Sequence, residues 1–99
     1  MIRASVMYAN EQGKKFDFDY YVNKHLVMVH QRLDPFGLVR SEVDKAVDDT
    51  SPFIAIAHLY FNSVEEFQNG LVTHAAEFGE DMPNYTDIAP QFQVSEIIK

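Results

Sequence analysis

Apolar residues in this chain recur at two different periods, and the switches between them mark out six short elements. Residues 2 to 8 alternate, with Ile2, Ala4, Val6 and Tyr8 on one side and Arg3, Ser5 and Met7 on the other, which predicts a strand. Asn10 to Lys15, with Gly13, forms the loop that ends it. From Asp17 or Asp19, either of which can act as N-cap, the spacing predicts a helix to Leu33. Phe18, Val22, His25, Val29 and Leu33 form its apolar stripe with Leu26 on the flank, and Asp34-Pro35 stops it. Residues 36 to 46 read as a second strand, placed at an edge because charges interrupt it. Beyond the polar turn from Asp48 to Pro52, the run Phe53 to Phe61 is apolar on both faces, the pattern of a central strand covered on both sides. Ser63-Val64-Glu65-Glu66 is a capping box. The helix it opens carries the stripe Val64, Phe67, Leu71, Ala75 and Phe78, with its end expected near Gly79. A last strand is expected between Ile88 and Ile98, after Pro90.

The order β-α-β-β-α-β is the ferredoxin-like plan of the α+β class: a four-stranded antiparallel sheet with two helices on one face. With 99 residues the chain makes one domain, 1–99. A central strand that is apolar on both faces, in a sheet with helices on one side only, leaves a face uncovered. The economical cover is the same face of a second copy, so a homodimer joined through the sheet face is expected.

Composition narrows the partners. Lys plus Arg total 8 against 15 Asp plus Glu, a net charge of −7, which argues against nucleic acid and against an anionic membrane surface. No apolar run reaches the roughly 20 residues of a membrane span, and the first ten residues lack the apolar stretch of a secretory signal, so a cytoplasmic location is expected. Cysteine is absent, which excludes disulfides, thiolate nucleophiles and zinc–thiolate sites.

His25 is the first candidate for chemistry, because a polar ring in the middle of an apolar stripe must find a partner. It is either a hydrogen-bonded core histidine or an acid/base at the wall of a pocket between helix and sheet, with Tyr21 one turn before it. On the third strand, alternation sends Phe53, Ala55, Ala57 and Leu59 to the helical side, and the two alanines leave volume there. That volume means either close helix packing or a small apolar pocket walled by His25, Tyr21, Ala55, Ala57, Phe67 and Phe78. Such a pocket suits an aromatic or hydrophobic small molecule. Tyr8 and Asp87 can reach its mouth, although Asp87 equally suits a turn cap. His58 falls on the dimer side, His74 at the boundary of the second helix's stripe and His30 on a polar face. Nothing among them has metal-ligand spacing, so no metal is expected. No Gly-rich phosphate loop, nicotinamide or flavin fingerprint occurs, and no cofactor is expected.

Three blocks carry a family resemblance: Phe16-Asp17-Phe18-Asp19-Tyr20-Tyr21 with His25 four residues on, the run from Phe53 to Ser63, and the segment from Pro83 to Val94. Together they resemble the EthD family, small dimeric α+β barrel proteins named for association with ethyl tert-butyl ether degradation. Leu26 stands where many relatives carry proline. The resemblance implies the fold and dimerisation. It also implies a reductase label, with relatives similar to enzymes of polyketide or aromatic intermediates. Two functions follow as expectations. One is an acid/base enzyme using His25, with Tyr21 or Tyr8 orienting a carbonyl or hydroxyl. The other is a non-catalytic accessory binding protein of a monooxygenase-type degradation pathway. Haem-degrading monooxygenases of the same architecture rank last, because the chain has no tryptophan.

Overall fold

The computed structural model describes residues 1–99. Its sheet is built around β3 (Phe53–Phe61), which pairs antiparallel with β1 (Ile2–Ala9) on one side and with β2 (Arg40–Lys45) on the other. β4 (Gln91–Glu96) pairs with the free edge of β1, giving the order β2-β3-β1-β4. This is the expected ferredoxin-like α+β fold, with the charged β2 at an edge. Because side chains alternate, Ile2, Ala4 and Tyr8 of β1 and Ala55, Ala57, Leu59 and Phe61 of β3 share the helical side, and all are buried. β3 carries one extra residue, Ile54, between the pairs Tyr8–Ala55 and Ala9–Phe53, a bulge beside the cavity described below.

The first helix is continuous from Phe18 to Leu33 but changes pitch. Asp17 caps it, its Oδ1 accepting from the Tyr20 N–H at 3.0 Å. Tyr21–His25 then forms a π-turn, closed by the Leu26 N–H bonding to the Tyr21 carbonyl, before α-geometry resumes over Leu26–Leu33. The wider turn shifts the buried stripe. Tyr21, His25, Leu26, Val29 and Leu33 face the sheet, whereas Val22, expected on the stripe, is 45% exposed. Gly37 ends the following turn at φ 102°, a left-handed conformation that favours glycine.

The second helix, Val64–Asp81, is capped by Ser63, whose Oγ accepts from the Glu66 N–H at 3.3 Å and donates to the Glu66 carboxylate at 3.2 Å. Its end, expected near Gly79, falls two residues on at Asp81, followed by a 3₁₀ turn, Met82–Asn84. Gly70 lets the two helices approach closely, since a Cβ there would lie 2.7 Å from Leu33 Cδ2. No helix is long and apolar enough to cross a membrane.

The open face of the sheet is more polar than the sequence pattern implied. Tyr60 donates to Glu42 at 2.6 Å and accepts from Arg3 Nε at 3.2 Å, and the Arg40 guanidinium lies 4.0 Å from its ring centre. His58 bridges Ser5 Oγ (3.1 Å) and Asp44 Oδ2 (2.8 Å) on the same face. The apolar part of that face is confined to Met7 and Ile56, both half-buried, while Ile54 at the bulge packs against the core. Serine, histidine and carboxylate stand in hydrogen-bonded sequence here. Ser5 and His58 lie on β1 and β3, the two strands paired on both sides, and Asp44 on the edge strand β2.

Candidate functional site

Between the helical side of the sheet and the two helices lies a cavity of about 170 Å³, lined by 22 residues, 17 of them hydrophobic. Ala4, Ala57 and Leu59 form its floor, Val29 and Leu33 one wall, and Phe67, Leu71 and Phe78 the other. The short side chains of Ala4 and Ala57 are the local cause of the hollow, because neighbouring rings do not reach across them. Pro90, Phe92 and Val94 border it on the β4 side, where Phe92 is 64% exposed.

Its polar groups are gathered together. His25 faces the cavity and is 5% exposed. Its ring stacks on Tyr21 (centroids 5.3 Å apart) and tilts against Tyr85 at 4.6 Å. The first contact follows from their spacing, since positions four apart share one face of the helix. Tyr8 completes the group, its hydroxyl 2.8 Å from that of Tyr85.

His25 is anchored from the second helix. Its Nδ1 lies 2.8 Å from Oδ2 of Asp81, whose Oδ1 accepts from the Tyr20 hydroxyl at 2.6 Å and from Asn84 Nδ2 at 3.0 Å. Burial alone would raise the Asp81 carboxyl, but the hydrogen bonds from Tyr20, Asn84 and His25 outweigh it and hold the pKa below the usual value. With a carboxylate as partner, Nδ1–H is the donor, and Nε2 has no partner in the protein. No side-chain polar atom in the molecule is both fully buried and unpartnered, so Nε2 reaches open cavity space. The arrangement can take up a proton at Nε2 and stabilise the resulting imidazolium through Asp81.

The tyrosines behave differently. Burial pushes the hydroxyls of Tyr8, Tyr21 and Tyr85 upward, far above the ordinary value for Tyr21 and Tyr85. They stay protonated and act as donors rather than bases.

The structure thus brings together His25, Tyr21, Tyr8, Ala57, Phe67 and Phe78 around one cavity. Ala55, expected in the wall, and Asp87, expected at the mouth or as a turn cap, stand elsewhere. Ala55 is buried but packed beside the bulge, outside the lining, and Asp87 is exposed. Asp87 Oδ1 accepts from the Lys15 N–H at 3.0 Å while Thr86 Oγ1 donates to the Lys15 carbonyl at 2.6 Å, so this pair straps down the loop before the first helix. His30 bonds Ser41 Oγ at 2.6 Å, and His74 sits 3.3 Å from Glu77 with its ring edge-on to Phe36. No three metal-ligating side chains cluster anywhere in the chain.

Asp81, Tyr85 and Tyr20 are the residues that sequence reasoning missed. Gly79 read as a helix stop, yet continuing the stripe three residues past Phe78 would have placed Asp81 on the buried face.

No protein-family model matches the chain, and no curated protein does. Among solved structures, an EthD-like protein from Ralstonia eutropha JMP134 superposes with a TM-score of 0.88 at 35% identity, over 99% of this chain and 92% of that one. An ethyl tert-butyl ether degradation (EthD) family protein from Bacillus halodurans C-125 follows, with a TM-score of 0.75 at 21% identity over 99% of both chains. A Dabb family protein with a ferredoxin-like fold from Mesorhizobium loti MAFF303099 shares the fold (TM-score 0.63, 11% identity, 99% and 97% covered). Fold and cavity define a small ferredoxin-like α+β protein with an internal apolar pocket. The chain belongs to the EthD-like family.

Proposed function

We propose that this EthD-like protein is an acid/base enzyme acting on an aromatic or otherwise hydrophobic small molecule held in the 170 Å³ cavity. His25 Nε2 moves the proton, Asp81 orients the ring and balances its charge, and the tyrosines position a carbonyl or hydroxyl of the ligand. The single observation that carries this reading is an imidazole anchored through Nδ1 with Nε2 free in an apolar chamber. A core histidine with a purely structural role would have no use for the empty space beside it. We further propose that the protein works as a homodimer joined through the open sheet face, where Met7 and Ile56 are half-buried in one chain.

The test is a panel of single-ring ketones and phenols incubated with the wild type and with His25→Ala, with binding and conversion both followed by proton NMR. Conversion or proton exchange of any member that falls by about 10²- to 10⁴-fold in the variant, with binding kept, supports the enzyme. Binding without conversion of any member by the wild type makes the protein an accessory binder and overturns the reading.

A further inference from the structure

The phenols around His25 bring more protons than the protein has acceptors for. The Tyr8 and Tyr85 hydroxyls are 2.8 Å apart and Tyr8 also bonds Tyr21, so three hydroxyls that bond only one another carry one proton more than they can place within the cluster. Tyr21 is 2% exposed and lines the same cavity, and its hydroxyl bonds only within the cluster, to that of Tyr8. The nearest carboxylate offers nothing more, because the Asp81 oxygens are turned to His25, Tyr20 and Asn84. The chamber therefore presents a cluster of phenolic hydroxyls with a spare proton and one basic atom, His25 Nε2. No Lys or Arg lines it, so a permanent anion would be buried there without a countercharge. What fits is a neutral ligand that arrives with an acceptor oxygen and a removable proton, and whose oxygen becomes negative only during reaction. The volume sets the size, since an apolar cavity of about 150 Å³ holds one benzene ring.

Resting on the acid/base reading of His25, we propose that the substrates are neutral single-ring ketones with an enolisable C–H, and that Tyr8, Tyr21 and Tyr85 hold the oxygen as it becomes an enolate. His25 Nε2 takes the proton from the carbon next to the carbonyl. The C–H electron pair forms the C=C bond, and the carbonyl π pair moves onto oxygen, where the phenolic O–H groups meet it. Return of the proton from the imidazolium to carbon reverses the electron flow and restores the neutral ring. The net result is exchange or isomerisation, with no oxidant or reductant consumed. Base and donors lie within the span of one small molecule, since the His25 ring is 4.6 Å from that of Tyr85 and 5.3 Å from that of Tyr21.

The experiment follows loss of the α-protons of phenylacetone in D₂O by NMR, using the full chain, with ethylbenzene as a probe of cavity occupancy. The wild type is expected to exchange them faster than buffer and His25→Gln to return to the buffer rate. Tyr21→Phe and Tyr85→Phe are each expected to lose roughly 10²-fold in exchange rate, as for removal of an oxyanion donor, while ethylbenzene still binds. Tyr8→Phe is a third variant, so one that melts early leaves two to decide. If His25→Gln abolishes exchange but all folded phenylalanine variants match the wild type, the oxyanion assignment is overturned and the acid/base role of His25 stands. If His25→Gln keeps wild-type exchange, the acid/base reading itself fails. If the wild type converts another panel compound but leaves phenylacetone at the buffer rate, the substrate class is wrong.

Discussion

His25 and Asp81 are 56 positions apart in the chain, yet Nδ1 of one lies 2.8 Å from Oδ2 of the other. The contact joins the π-turn of the first helix to the last turn of the second, so the chemistry of the cavity depends on how the two helices end and bend. Asp81→Asn keeps the shape but removes the charge that fixes the tautomer. Turnover is expected to fall about 10²-fold or more, with about 1–3 kcal/mol of stability lost as Tyr20 and His25 exchange a charged acceptor for a neutral amide. Steady-state rates and urea melts on the same preparation check both.

The acid limb of stability follows from the same carboxylate. Asp81 has a folded pKa below its unfolded value, which is about 3.9 for an aspartate. Its contribution is therefore fully present above the unfolded value and is lost as pH falls through the folded one. Wild type and Asp81→Asn are expected to differ most above the unfolded value and to converge as pH falls through the lower folded one. Tyr20→Phe removes one donor to Oδ1 and moves the wild-type decline to higher pH. Denaturant titrations across that range measure the convergence.

Ala57 and Ala55 separate the cavity from its surroundings. Both are 1% exposed, but only Ala57 lines the hollow. Ala57→Leu is expected to fill it, abolishing ethylbenzene binding with melting temperature kept or raised. Ala55→Leu has no such space and is expected to cost about 1–3 kcal/mol by overpacking. Calorimetry on the two variants distinguishes them.

Gly70→Ala opposes two effects of similar kind. Alanine favours the helix by about 1 kcal/mol, but the added Cβ meets Leu33 Cδ2 at 2.7 Å and Phe36 Cβ at 3.2 Å, which forces the helices apart. The steric term is expected to win, with a net loss of stability in urea unfolding and a changed near-UV signal from the tyrosines. Unchanged stability would mean that Leu33 rotates away without cost.

Ile56→Asp tests the open face. The side chain belongs to the half-buried apolar part of that surface, away from the cavity, and a carboxylate there is costly against a second copy. Sedimentation is expected to show a dimer for the wild type and a monomer for the variant, with the fold retained by circular dichroism.

Much of the architecture was legible because strands and helices leave strong periods. The alternation in β1, the doubly apolar β3 and the Ser63 cap each specify an element locally. The site was legible in part. His25 stood out as a polar ring on an apolar stripe, and Ala57 as a small residue on a core-facing row. A uniform 100° step places Val22 on the buried stripe, whereas the π-turn exchanges it for Tyr21. Asp87 carries a residue type suited to a pocket mouth but spends its side chain on the Lys15 loop.

The linear order of residues determined the α+β class, the strand that would be central and the imidazole that would turn inward, because each is set by neighbours within a few positions. Only the tertiary structure decided what that imidazole touches. The carboxylate on Asp81 and the hydroxyls of Tyr8 and Tyr85 come from separate elements, and their distances depend on how far one helix runs past a glycine and how another widens by a single residue. Such adjustments are settled by packing between distant segments, where a shift of one residue is enough to turn a side chain to a different face.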